Sequence, residues 1–77
     1  MERLRKSDVE QLVNRVNRVL ASHKSRYVIK LGHRYDYYAI DKCNVTDSGE
    51  STLFTGTLRE CMYYVKGMSS LLDIFGL

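Results

Sequence analysis

The chain has 77 residues, 44% of them hydrophobic and 27% charged, with a formal net charge of +3 and no proline. That length allows one domain, burying roughly 60–65% of the surface its unfolded chain exposes, so its stability is modest, and the composition excludes disorder. No apolar run approaches the ~20 residues of a membrane-spanning helix, and the N-terminus, Met1 to Glu10, lacks the apolar stretch of a secretion signal, so a cytoplasmic protein is expected.

The first element is a helix beginning near Ser7, where Ser7-Asp8-Val9-Glu10 reads as a capping box behind a basic, flexible arm of residues 1–6. Val9, Leu12, Val13, Val16 and Leu20 form one apolar stripe. Gln11, Arg15, Arg18 and Ser22 lie opposite, and the pattern fades around His23-Lys24-Ser25. A strand follows from Arg26 to Leu31, in which Tyr27, Ile29 and Leu31 alternate with Val28 and Lys30. Gly32-His33-Arg34 reads as the turn. A second strand runs from about Tyr35 to Asn44, dense in the β-formers Tyr35, Tyr37, Tyr38 and Ile40. Thr46-Asp47-Ser48-Gly49-Glu50 has loop composition, and Ser51 to Thr55 is a short third strand. After Gly56, Thr57-Leu58-Arg59-Glu60 is a second capping box. It opens a helix whose inner face carries Leu58, Cys61, Met62, Val65, Met68 and Leu72, with Tyr63, Lys66 and Gly67 outside. Residues 73–77 form an apolar tail.

The order α-β-β-β-α with short connections predicts an α+β two-layer sandwich, a single domain over 1–77. A three-stranded antiparallel meander carries both helices on one face. Tyr27, Ile29 and Leu31 should face the helices together with Tyr37 and Ala39. The other face should show Val28, Lys30, Tyr38, Ile40 and Lys42, with Leu53 or Phe54. That is more apolar area than a monomer usually leaves wet, so the chain is expected to form a homodimer through this face or the apolar tail, or to bind a different protein partner through the face.

Charge is unevenly spread. Residues 1–34 hold nine of the twelve Lys and Arg and three of the nine acids, +6 against −3 for the remainder. This asymmetry suits a solvated helix face and, as the alternative, a polyanion. Tyr35, Tyr37 and Tyr38 near Lys30, His33 and Arg34 could stack bases, although tyrosines also fill a core edge with their hydroxyls in water. The candidate binding surface therefore comprises Arg15, Arg18, Lys30, His33, Arg34, Tyr38, Ile40 and Lys42.

No catalytic, cofactor or metal site is legible. Cys43 and Cys61 make no CxxC pair and read as buried apolar side chains rather than a disulfide. Cys61 falls on the apolar helix stripe, where a structural thiol is expected. His23 and His33 sit near element ends with no activated nucleophile beside them. Asp47 and Glu50 offer too few oxygens for calcium. The expected function is that of a non-enzymatic protein-interaction module, with nucleic-acid binding through the basic half and the tyrosine-rich strand as the alternative.

The element order is similar to that of double-stranded-RNA-binding domains, which use helix one, the first strand-to-strand loop and a lysine-rich start to helix two. Thr57-Leu58-Arg59-Glu60 lacks those lysines, so the order alone is shared. Over nearly its whole length the chain resembles short uncharacterised accessory proteins of bacteriophages, prophages and other mobile elements. The likeness is carried by the segments Arg34-Tyr35-Asp36-Tyr37-Tyr38-Ala39-Ile40-Asp41, Leu53-Phe54-Thr55-Gly56-Thr57-Leu58-Arg59-Glu60 and Tyr63-Tyr64-Val65-Lys66-Gly67-Met68. It implies an accessory protein acting by binding in the host cytoplasm.

Overall fold

Two apolar helix stripes and three β-rich runs need one shared surface, and the arrangement follows from that need. In the computed structural model, which describes residues 3–46 and 49–76, the order is α1 (Lys6–Ser22), β1 (Tyr27–Arg34), β2 (Tyr37–Asn44), β3 (Glu50–Gly56) and α2 (Leu58–Ile74). The sheet is an antiparallel meander, β1-β2-β3. α1 packs over β1, α2 packs over β2 and β3, and the helices touch each other. Both helices therefore cover one face. The core between the layers is built from Val9, Val13 and Val16 of α1, Ile29 and Ile40 of the sheet, and Cys61 and Val65 of α2.

The helix ends differ in how well local chemistry foretold them. At α2 the Thr57 hydroxyl accepts from the Glu60 N–H at 3.1 Å, and the Glu60 carboxylate accepts from the Thr57 N–H at 2.8 Å. This is the reciprocal box expected of the sequence. Thr57→Ala should lower stability by about 1 kcal/mol in a urea titration, with Thr57→Ser retaining most of it. α1 corrects the expectation. Its N-cap is Arg5, not Ser7, and Lys6 of the supposed arm is already helical. The Asp8 carboxylate accepts from the Arg5 N–H at 2.9 Å, and an arginine side chain has no acceptor to return the bond. At its other end, Lys24 takes a left-handed φ of 57°. Ser25 N–H reaches Leu20 C=O and Lys24 N–H reaches Ala21 C=O, both at 3.0 Å, a Schellman closure without its usual glycine.

The hairpin overturns the expected facing of the second strand. The expected turn, Gly32-His33-Arg34, is strand throughout, and β1 runs on to Arg34, which pairs with Tyr37. Tyr35 and Asp36 alone make the turn, with Tyr35 at φ 52°. The expected turn would set Leu31 opposite Tyr35, whereas the observed one sets it opposite Ile40, and this odd change of register, five residues, turns every side chain of β2 to the other face. Ile29 is thus opposite Lys42 and Leu31 opposite Ile40. Tyr38, Ile40 and Lys42 point to the helices, and Tyr37 and Ala39 point away, the reverse of the sequence reading. Ile40 is 0% exposed.

A bulge in β3 settles its own facing. Ile40 pairs with Phe54 but Asp41 pairs with Thr52, so Leu53 is the extra residue. The bulge lets two residues of the same parity face opposite ways. Phe54 goes under the helices and stacks on Tyr64, with ring centroids 4.8 Å apart, and Thr52 turns to the open face. Of the expected loop 46–50, Asp47 and Ser48 lie outside the described residues, as do Met1 and Glu2 of the arm. Asp73 and Ile74 of the expected tail are the last turn of α2, and Leu77 lies outside the described residues. No helix among the described residues is long and apolar enough to cross a membrane.

Candidate interaction surfaces

The eight residues singled out from sequence do not form one surface. Arg15 and Arg18 lie on the outer side of α1, where with Asp8, Gln11 and Leu12 they border a shallow hollow of about 300 Å³. Lys30 and Arg34 stand on the open face of the sheet. His33, Tyr38, Ile40 and Lys42 stand on the helix-covered face. There His33 stacks on Tyr38 at 4.3 Å and Lys42 sits 4.6 Å over the Tyr27 ring. Ile40 is core and lines no surface. The tyrosines are dispersed in the same way: Tyr37 faces away from the helices, Tyr38 faces them, and Tyr35 is at the hairpin tip, 96% exposed.

The open sheet face carries charge where apolar area was expected. Asp41, 2% exposed, lies under the Arg34 guanidinium, whose Nη2 donates to both carboxylate oxygens at 3.0 and 2.9 Å. The Thr52 hydroxyl adds a third bond at 3.0 Å. Gly32 is part of the arrangement, since a Cβ there would stand 3.2 Å from Asp41 Oδ2. The hydrogen bond to Asp41 holds the Arg34 guanidinium above its ordinary pKa. Arg34 Nη1 is buried without a partner among the described residues. Beside this cluster, Lys30 and Glu50 pair at 2.9 Å, and that bond raises the lysine. A carboxylate enclosed by a guanidinium, a hydroxyl and a glycine is satisfied within the chain. The cluster fixes how β1, β2 and β3 lie against one another.

The thiols lie on opposite faces of the sheet, Cys61 in the core and half-buried Cys43 on the open side, and both are free. Burial pushes both upward, away from the thiolate. Among the described residues, no group of three or more His, Cys, Asp or Glu is placed to hold a metal ion.

Among the described residues, α2 carries an exposed apolar surface. Its residues Tyr64, Gly67, Met68 and Leu71 bound an open hollow of about 360 Å³. Leu71 is 56% exposed, Ile74 76% and Phe75 73%. This flank points away from α1. Arg59, well round the helix from Tyr64, is the residue that borders Arg3, Leu4 and Asp8 at the start of α1. Spacings of 3, 4 and 7 from Tyr64 place Gly67, Met68 and Leu71 on one side of a helix. That second stripe was present in the sequence. It was masked because Met68 belongs to both stripes and Gly67 has no side chain to mark it.

Fold and surface together define a class, a two-layer α-β-β-β-α domain with a charge-locked open sheet face and an uncovered apolar helix flank. No protein-family model matches the chain, and no curated protein or solved structure matches it.

Proposed function

We propose that the chain is a non-enzymatic protein-interaction module that engages its partner through the apolar flank of α2. The observation that carries this reading is the run Tyr64, Gly67, Met68, Leu71 around a hollow, continued by the exposed Ile74 and Phe75. A chain this small has few apolar residues to spare from its core, and leaving this many in water has a cost that a partner would offset. In the setting implied by the resemblance to mobile-element accessory proteins, it acts in the host cytoplasm.

The test is a photo-reactive amino acid placed at position 71 of the full chain, expressed in cells and irradiated. Adducts of defined mass at position 71, absent from a control at Arg18 and lost on Met68→Glu with the helical signal unchanged, are the expected result. No adduct at 71, or the same adducts from both positions, would overturn the assignment.

A second reading, nucleic-acid binding, rests on Arg15 and Arg18, which have no ion-pair partner among the described residues. Oligonucleotide binding that falls steeply with salt and vanishes with both arginines changed to alanine would move the function there.

A further inference from the structure

We infer that the surface along α1 and the start of α2 is a binding channel for a single-stranded nucleic acid, with Arg3, Arg15, Arg18 and Arg59 on its phosphates and Tyr63 against one of its bases. This rests on the nucleic-acid reading of Arg15 and Arg18 and names the rest of the site and the form of its ligand. The apolar flank of α2 plays no part in it, because Tyr64 and Leu71 lie on the other side of that helix from Arg59.

The first observation is where the uncompensated charge lies. The two ion pairs among the described residues, Lys30 with Glu50 and Arg34 with Asp41, are both on the open face of the sheet. Lys42 is held over the Tyr27 ring. On the helix layer, Arg3, Arg15, Arg18 and Arg59 are exposed and have no ion-pair partner among the described residues. The acids nearest them are engaged or turned elsewhere. The Glu60 carboxylate accepts from Thr57 N–H, that of Asp8 accepts from Arg5 N–H, and Glu10 borders the β1 side of α1 with Asn14 and Asn17. Arg15 and Arg18, three residues apart, are neighbours on one face, a placing in which like charges weaken a helix.

The second is continuity. Arg3, Leu4, Asp8 and Arg59 border one hollow of about 140 Å³. Asp8, Gln11, Leu12, Arg15 and Arg18 border another of about 300 Å³. Asp8 belongs to both, so the two run together as one channel with cations at each end. Between Asp8 and Arg18 the helix rises about 15 Å, a length that suits an extended chain of charges better than a single ion. The one acid on the channel, Asp8, is already bonded at the α1 cap.

The third is the kind of anion. All four cations bordering the channel are arginines. A guanidinium offers its donors as a fork that matches phosphate oxygens two at a time. Leu4 and Leu12 are the only apolar residues of the lining. A protein contact is instead centred on apolar or aromatic anchors with charge kept to the rim. One turn along α2 from Arg59, Tyr63 is 59% exposed, and Lys66 follows three residues later. Cation, ring and cation thus succeed one another on this side of the helix. A ring left in water between cations suits an unpaired base, which has a face free to stack. The bases of a duplex are covered by their neighbours and would leave Tyr63 without a partner.

The test is fluorescence anisotropy of a labelled oligothymidylate of about 12 nucleotides, titrated with the full chain. The competitors are the same strand annealed to oligoadenylate, and polyglutamate. The free single strand should bind tightest, with affinity falling against salt by a log–log slope of about −0.7 for each phosphate held. Arg59→Gln should flatten that slope by about 0.7. Tyr63→Ala should weaken binding about tenfold with the slope unchanged, as loss of a stacked base requires. Both residues are exposed, so circular dichroism should not change. Binding that needs Arg15 and Arg18 but ignores Arg59→Gln and Tyr63→Ala overturns the channel and leaves the two-arginine reading standing. Failure to bind any strand overturns both. Duplex or polyglutamate bound as tightly as the single strand overturns the inference as well.

Discussion

Replacing Ile40 with alanine should lower the free energy of unfolding by about 2–5 kcal/mol, read from a urea titration. Ile40 is fully buried in the central strand, paired with Leu31 on one side and Phe54 on the other. No neighbouring segment can collapse into the space its side chain leaves, because the sheet fixes both flanks. A domain of this size has roughly 4–11 kcal/mol in total, so the variant should lose a large share of its stability. Tyr37→Ala is the control. Tyr37 is on the other face and 38% exposed, and its loss should cost about 1 kcal/mol or less. Equal losses at the two positions would mean that the facing of β2 is wrong.

The second large effect concerns Asp41. Arg34→Leu keeps an apolar cover over Asp41 but removes the guanidinium that donates to both its oxygens. The Thr52 hydroxyl alone then holds a carboxylate that is 2% exposed. Leaving a buried charge without its partner costs about 3 kcal/mol or more. The opposite substitution should be milder. In Asp41→Asn the guanidinium, whose side chain is 37% exposed, can turn into water, and the amide oxygen still accepts from Thr52. Thermal melts of the two variants at neutral pH should rank Arg34→Leu below Asp41→Asn. The reverse ranking would show that water reaches Asp41 freely once the arginine is gone. The same geometry explains why this face is unpromising as a docking surface: its donors and acceptors are largely engaged within the chain.

Particular residues show why the sequence carried some of this and not the rest. Val9, Val13 and Val16, and Cys61 with Val65, were legible as core because helix periodicity is local, set by backbone geometry within a few residues. The Thr57–Glu60 box was legible for the same reason, while α1 started two residues before its best-looking cap because Asp8 served equally well from the N3 position. Ile40 and Tyr38 were misplaced because the turn falls at Tyr35-Asp36 and not at Gly32-His33-Arg34, an odd change of register. Alternation gives a strand its two faces but not which one is inside. Both faces of β2 carry apolar residues, so pattern alone could not decide. Nothing local announced that Asn17 would plug the β1 edge or that Asp41 would lie buried beneath Arg34, since each depends on partners seven to twelve residues away.

By itself, then, the sequence determined the element order, the α+β class and the inner stripes of both helices, because these follow from short-range periodicity and capping. The tertiary structure alone decided the facing of β2, the bulge that sends Thr52 and Phe54 to opposite sides, the enclosed Asp41, and which apolar residues remain uncovered on α2. These depend on register and on what packs across from what, quantities that no window of neighbouring residues contains.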